Sequence, residues 1–579
     1  MDILPNEIVI RVLLCCSYTD ILAFASTCKK YFSLVSNSVN LQLHIELEAN
    51  GLQVIGGSPN DTNDHSRLLQ KLKQYRDAWL DLSFMPPINR ECGEETMLCW
   101  EFRDGVFAQA FSASGLEIES DSMLIIPLDT DGNISPISFG VAFNEFTLDP
   151  SQGLVVLAGV HSQAKSRGWI RICSSVTGQA HSQAKHPLLN LELGFSASTF
   201  IRAFDITLEI KGELLAVKFA SAEKFIYEIL IWNWKTGKLL NRIRCDRGIC
   251  NFAFLDSDHL VIWSACRESG RLPLTLLNLL VYEQVGSTRF EHDIPDGGTF
   301  DIPTFPELSP AFTFHFPKFR AYSQVDSAGF LLRSDYGSRR SFTKSIPFAH
   351  SAALTLGLTM SLVLEGTSLR FRIFVDAHQL IDHLRWGGGR QISKLSWHEW
   401  GERATRWFEV DSGPNHWICW MFGSRYVISE EYLSVIDFHT PTVRRHANRH
   451  QNTYIVHERS EDALKKISRR IGAGRLPIVP GGEDESAEND WPEETDASDD
   501  AVVAVCVTSE EATNMPYFDE PVMSRLPYRM VSRVQPVDAW EGWLISGSQL
   551  ISIDYGFGLD TDEVMVYTVG GLDEINGNS

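Results

Sequence analysis

Ile231-Trp232-Asn233-Trp234-Lys235-Thr236-Gly237 is the stretch whose reading decides the fold. An apolar and aromatic β-type run ends there in a turn closed by glycine. Weaker copies are Ile170-Arg171-Ile172-Cys173-Ser174-Ser175-Val176-Thr177-Gly178, Val281-Tyr282-Glu283 and Val435-Ile436-Asp437-Phe438-His439-Thr440-Pro441. The first two copies share Thr-Gly at the same offset. Around them lie further short β-rich runs: Leu154 to Ala158, Leu214 to Phe219, Glu228 to Trp234, His259 to Trp263 and Ser434 to Phe438. Gly, Pro, Ser, Asn and Asp separate these runs.

Short strands with regular turn punctuation mean an all-β sandwich, barrel or propeller. The degenerate repeat selects the propeller, because strand-plus-Thr-Gly is how the third strand and turn of a WD-type blade read. Copies stand irregularly, from about one 40–45-residue blade apart upward. Residues 97–579 hold about seven such blades with long insertions, within the usual four to eight.

The first fifty residues have a different texture. Pro5 suits the first turn of a helix, where its missing N–H is no loss. Ile8, Val12 and Leu13 follow on one face. Ser17 or Thr19 caps a second helix with Ile21, Leu22 and Phe24. Lys29 to Val35 forms a third, and Leu41, Leu43, Ile45 and Leu47 continue to a stop at Asn50-Gly51. A unit this small hides its apolar residues poorly; below roughly 40 residues a domain usually needs outside help. The surplus marks a docking face.

After the Gly56-to-Asp61 linker, Leu68, Leu72, Tyr75, Trp79 and Leu82 make one apolar stripe at helical spacing. That helix is expected to brace the N-terminal unit against the β domain. The fold class is therefore α+β multidomain. A small all-α unit of three helices spans 1–50, a linker and bracing helix 51–96, and a large all-β propeller-like domain 97–579. Within the last, 444–500 reads as a charged, disordered insertion. Arg444, Arg445, Arg449, Lys465, Lys466, Arg469, Arg470 and Arg475 precede an acidic run from Glu483 to Asp500.

Composition narrows function. Hydrophobic residues make up 44% of 579, enough for a substantial core. Acidic residues number 74 against 51 basic, a net charge of -23. Such an excess repels phosphate backbones, which argues against nucleic acid as a partner. Eleven scattered cysteines without CxxC pairs read as reduced thiols of a cytoplasmic or nuclear protein. Asp2, Glu7 and Arg11 interrupt the N-terminal apolar run, so it does not read as a secretory signal. The longest uncharged apolar stretch, Ala352 to Leu364, is shorter than the ~20 residues a bilayer needs, so no membrane is expected.

Catalytic patterns are missing. There is no GxSxG, HExxH, phosphate-binding Lys loop or strand-linked GxGxxG. His398-Glu399-Trp400-Gly401-Glu402 lacks the second His of a zinc site, and Trp386-Gly387-Gly388-Gly389-Arg390 lacks the Lys-Ser/Thr of a phosphate loop. The chain is read as no enzyme, with no catalytic residue, metal or cofactor. One cluster has binding character: Arg385, Trp386, Arg390, Trp397, Trp400 and Arg403. Trp and Arg are the usual anchors of protein interfaces, although a crowded β core uses Trp as well. These six are the candidate substrate surface.

The N-terminal residues carry a resemblance. Leu4-Pro5, Glu7, Ile8, Val12-Leu13, Asp20-Ile21-Leu22, Cys28-Lys29-Lys30 and Phe32 match the order and gaps of the F-box. With Leu148-Asp149-Pro150-Ser151-Gln152-Gly153-Leu154, Trp232 to Gly237 and Trp397-His398-Glu399-Trp400-Gly401, the chain resembles fungal, especially basidiomycete, F-box proteins with a propeller-like C-terminal region. Leu41 and Leu43 stand where that motif often has Trp. The resemblance implies the substrate-recognition subunit of a Skp–cullin–F-box ubiquitin ligase. Leu4, Pro5, Glu7, Ile8, Val12, Leu13, Ile21, Leu22, Cys28 and Phe32 would bind a Skp-type adaptor, and through it a cullin. The β domain would hold an unknown protein substrate. The rival readings are an F-box scaffold acting outside a ligase and a propeller enzyme with a helical cap.

Overall fold

The computed structural model describes residues 4–54, 62–92, 95–116, 119–129, 135–161, 163–197, 205–221, 223–268, 273–287, 299–320, 323–334, 347–350, 352–386, 393–410, 421–429, 433–447, 502–533, 542–553 and 563–569. Most of the charged insertion, 448–500, lies outside them, as do Arg390, Trp417, Trp420 and Cys419.

Four helices open the chain: α1 Asn6–Leu13, α2 Tyr18–Ser26, α3 Lys29–Asn37 and α4 Val39–Ala49. Pro5 precedes α1 at φ -57°, a value its ring imposes. Ser17 caps α2 by accepting the Asp20 N–H at 3.2 Å, and Ser38 caps α4 by accepting from Leu41. Gly51 follows α4 at φ +62°, the left-handed turn predicted for its stop. The fourth helix exceeds the three expected. Leu41 and Ile45 from it complete the core that Val9, Leu13, Ile21, Ala25 and Val35 begin.

Helix α5, Thr62–Leu80, carries the predicted stripe. Leu68, Leu72, Tyr75, Trp79 and the following Leu82 are all buried among strands of the β region and Leu43 of α4.

Among the described residues, the β region is a ring of seven antiparallel sheets, each of four principal strands. Blade 1 holds Cys99–Arg103, Val106–Phe111, Ser120–Pro127 and Ile137–Phe143. Blade 2 holds Glu145–Asp149, Leu154–His161, Ala164–Ser174 and Leu188–Glu192. Blade 3 holds Ile206–Lys211, Leu214–Ser221, Ile226–Asn233 and Lys238–Cys245. Blade 4 holds Gly248–Phe254, Leu260–Arg267, Leu274–Tyr282 and Phe312–His315. Blade 5 holds Ser323–Arg333, Thr355–Leu364, Thr367–Asp376 and Thr405–Val410. Blade 6 holds Met421–Phe422, Arg425–Ser429, Leu433–Asp437 and Tyr528–Arg533. Blade 7 holds Gly542–Ser546, Gln549–Ile553 and Glu563–Thr568, and takes its fourth strand, Ile88–Glu91, from far upstream.

That borrowed strand closes the ring. Ile88 pairs with Val566 and Glu91 with Glu563, so the start and end of the β region share one sheet. The borrowed strand also covers the outer edge of Glu563–Thr568, although each blade of such a ring keeps a short outer edge of its own. Ile88–Glu91 falls inside the stretch read as linker, because a four-residue strand with no apolar alternation gives no local signal. The first strand of blade 7 also touches the first strand of blade 1.

The core is divided between blades. One apolar cluster joins blades 1 and 2, the next 2 and 3, the next 3 and 4, then 4 and 5, then 5 and 6. The last joins blades 6, 7 and 1 and includes α5. All four repeat copies fall on third strands, of blades 2, 3, 4 and 6. In blade 3, Trp232 is fully buried and Trp234 donates its indole N–H to the Gly212 carbonyl at 2.9 Å. The repeat thus ties its own turn to the preceding one. Gly178 and Gly237 sit at φ +67° and +70°, where a side chain is disfavoured and where a Cβ would strike Ser138 or His186.

Insertions become edge strands. Thr299–Asp301 pairs in parallel with the outer strand of blade 2, and Ser393–Leu395 with that of blade 4. Val502–Val507 covers the outer edge of blade 6. Helices α6 Ala377–Trp386 and α7 Trp397–Ala404 precede the fourth strand of blade 5, and α8 Thr440–Ala447 follows the third strand of blade 6.

Candidate docking surfaces

Helix α1 divides its apolar residues between two faces. Val9 and Leu13, four apart, turn into the helical core. Ile8 and Val12, also four apart, turn outward with 42% and 43% of their surface exposed. Leu4 (46%), Leu22 (48%) and Phe32 (62%) are exposed as well. Five large apolar side chains in water on a unit this small cost free energy unless something covers them. Pro5, Glu7 and Cys28 are also exposed. Leu13 and Ile21, also expected on the docking face, are buried in the helical core at 4% and 0% exposure. The sequence pattern placed them on the docking face because a hydrophobic run shows which residues are apolar, not which way a short helix turns.

The candidate substrate cluster separates. Trp397 and Trp400 are buried and are corrected to core residues. Their rings meet edge to face at 5.4 Å, and Trp400 donates its indole N–H to the His315 carbonyl at 3.1 Å. Gly401 allows this packing, since a Cβ there would lie 2.1 Å from the Trp397 ring. Ser396 and Glu399 form a capping box that starts α7 and turns both indoles inward. Arg385 and Arg403 remain exposed. Trp386 ends α6, and its side chain lies outside the described residues, as does all of Arg390.

Arg403 borders a groove of about 940 Å³ between blades 5 and 6 and the N-terminal helices. Asp376, Asp382, Glu402 and Glu510 give it an acidic lining, partly matched by Arg403 and Arg525. Arg385 reaches Asp382 at 3.8 Å, and Arg525 holds Glu402 at 2.6 Å. No sequence signal pointed to this groove, because its wall joins residues from position 18 to 527.

The helical unit is fastened to the ring by polar contacts as well as by α5. Arg76 forms a two-point pair with the buried Glu46 at 3.0 Å. Arg445 of α8 also reaches Glu46. Tyr75 donates its hydroxyl to the Gly547 carbonyl at 3.0 Å, and Arg425 stands over the Tyr75 and Trp79 rings. His439 hydrogen-bonds the Ala49 carbonyl, and His350 meets the Gly51 carbonyl at 3.2 Å. Residues Leu52–Val54 add a short antiparallel pair with Phe348–His350. Burial, then the charge of Arg425, pushes His350 down to about 3, so it stays neutral. Burial pushes the Asp437 carboxyl up, but Arg425, His439 and the Ser424 hydroxyl outweigh it and hold it below its usual range.

The inner side of the ring carries carboxylates with a structural task. Glu101 accepts the Leu148 N–H at 3.1 Å, and Glu209 accepts the Phe254 N–H at 3.2 Å. Each braces the first strand of a following blade. Among the described residues, no group of three or more His, Cys, Asp or Glu is placed to hold a metal ion. Among those residues also, no helix is long and apolar enough to cross a membrane.

Comparison with known proteins bears on the N-terminal helices. Residues 1–43 match the profile of the F-box domain. No curated protein matches the chain. Among solved structures, the Dos1 propeller is similar at 10% identity, covering 84% of this chain and 96% of that one, with a TM-score of 0.31. Drosophila Semaphorin 2a is similar at 8% identity over 84% and 75%, with a TM-score of 0.34. Kuenenia stuttgartiensis Hydrazine Synthase is similar at 8% over 48% and 64%, with a TM-score of 0.25. The architecture itself rests on strand order and ring closure. An F-box module at residues 1–43 is followed by a propeller-like β region, with seven blades among the described residues.

Proposed function

We propose that this chain is the substrate-recognition subunit of a Skp–cullin–F-box ubiquitin ligase, working in the cytoplasm or nucleus. The observation that carries it is the exposed row Leu4, Ile8, Val12, Leu22 and Phe32, within a segment that matches the F-box domain. Full burial of such side chains contributes roughly 1.5–3 kcal/mol each at the upper limit. Association and ordering costs remove a good part of that sum. The adaptor carries the cullin, and the propeller presents a protein substrate. Exposed Arg385 and Arg403, beside the acidic groove, are the surviving candidates for substrate contact. No covalent step falls to this chain; transfer of ubiquitin belongs to its partners. Neither nucleic acid nor membrane has a part in this reading.

The test is co-purification with a Skp-type adaptor. Leu4→Asp combined with Pro5→Ala is expected to abolish adaptor capture while leaving the circular dichroism and melting of the propeller unchanged. Undiminished capture by that folded variant overturns the proposal. Cullin retained with the wild-type complex, and absent with the variant, separates a ligase subunit from a scaffold that binds the adaptor alone.

A further inference from the structure

Cys245 and Cys266 belong to different blades yet their sulfurs lie 4.0 Å apart. Cys245 ends the outer strand of blade 3, and Cys266 stands near the end of the second strand of blade 4. The chain turns between them through Asp246 and Arg247 into Gly248, which pairs directly with Cys266. The glycine creates the approach. A Cβ at Gly248 would lie 2.8 Å from the Cys266 sulfur, so any other residue there would push that thiol away. Both cysteines keep partial exposure, whereas nearby Cys250 is buried.

We propose that Cys245 and Cys266 are an oxidative modification site, joined by peroxide into a disulfide that staples blade 3 to blade 4 and opened again by thiols. Sulfurs at 4.0 Å are in contact but unbonded, and a bond of about 2.05 Å requires them to close by about 2 Å. Cys245 is the attacking sulfur. The hydrogen bond with Cys266, outweighing burial, brings its thiol down to about 6, and the Arg247 backbone N–H adds to this. Its thiolate attacks one peroxide oxygen, the O–O bond breaks, and hydroxide leaves to take up a proton as water. Cys245 is then a sulfenic acid. The sulfur of Cys266, whose thiol is raised far above its usual range by the same hydrogen bond and burial, attacks Cys245. The S–O bond breaks as the S–S bond forms, and the departing hydroxide carries off the Cys266 proton as a second water. Two thiols are oxidised and one peroxide is reduced to two waters.

The test treats the full chain with hydrogen peroxide and maps its peptides without reduction. A peptide pair linked through Cys245 and Cys266, two hydrogens lighter than its separate parts, is expected, and dithiothreitol is expected to release it. Before oxidation, Cys245 is expected to alkylate at pH 7 at least about tenfold faster than Cys250, whose thiol burial pushes up to about 12. With Cys266→Ser, the sulfenic acid on Cys245 is expected to persist and to be trapped by dimedone. The oxidised wild type should melt higher than the reduced one. Oxidation of Cys245 to sulfinic acid without the linked pair overturns the proposal, as does linkage found only between separate molecules. Mapping of the wild-type chain needs no variant to fold.

Discussion

The helical cap and the propeller treat apolar surface in opposite ways. In the ring every blade lies between two others, so both faces of each sheet are covered, and Trp232, Trp263 and Trp407 reach zero exposure. In the cap, four short helices share one small core of seven buried apolar residues and leave Leu4, Ile8, Val12, Leu22 and Phe32 outside. The difference is geometric. A closed ring has no last sheet, whereas a cluster of helices always has an outer face. Apolar surface is hidden in the first arrangement and left in water in the second.

Removing a ring side chain breaks the comparison most severely. Trp263 stacks on Phe330 at 5.0 Å and packs on Phe316 at 4.7 Å. Trp263→Ala should cost about 3–5 kcal/mol in denaturant unfolding. Adaptor capture by the folded protein should be unchanged, because the cap does not touch this cluster.

The seam between the two regions is the next target. Arg76→Ala leaves the buried Glu46 carboxylate with two more distant partners, Arg445 and the Asn50 amide, each at 3.5 Å. A loss of about 1–3 kcal/mol is expected. It should appear as faster amide exchange over residues 46–54, with the blades protected as before.

On the cap itself the effect should fall on binding alone. Phe32→Ala should weaken adaptor affinity about tenfold, or about 1.4 kcal/mol. The unfolding midpoint should shift by no more than the equivalent of about 0.5 kcal/mol, as for other exposed positions. Titration calorimetry beside thermal melting separates the two. A large melting shift with unchanged affinity would contradict the division of roles.

A different kind of effect concerns pH. Burial pushes Glu101 and Glu145 up to about 7, and the charge of Glu101 adds to the rise at Glu145. Their ordinary value is 4.5, so between that value and about 7 the folded state holds protons that the unfolded chain has released. Stability should fall as pH rises through this window and level off above it. Glu101→Gln should flatten the curve in denaturant melts from pH 5 to 8.

Much of this arrangement was legible in the chain. Turn chemistry marked third strands, since a left-handed Gly178 or Gly237 has few substitutes. The stripe from Leu68 to Leu82 announced a buried helical face, because 3.6-residue periodicity is local. The motif order from Leu4 to Phe32 pointed to an outward apolar face, and Leu4, Ile8, Val12, Leu22 and Phe32 are exposed. Other features were not legible. Ile88–Glu91 becomes a strand only because Glu563–Thr568 offers it an edge. Trp397 and Trp400 looked like surface anchors until Gly401 and the Ser396 cap turned them inward. The two thiols at 245 and 266 are 21 positions apart and gave no pairing signal.

By itself the sequence determined the local grammar: where helices begin, where strands turn, and which residues are apolar. These follow from backbone sterics and from side-chain transfer free energies, which need no distant partner. Tertiary structure alone decided direction and company. It chose which face of α1 remains in water, which tryptophans enter the core, which strand closes the ring and which cysteines meet. Each depends on residues far apart in the chain, whose approach is set by packing and ring closure rather than by any local preference.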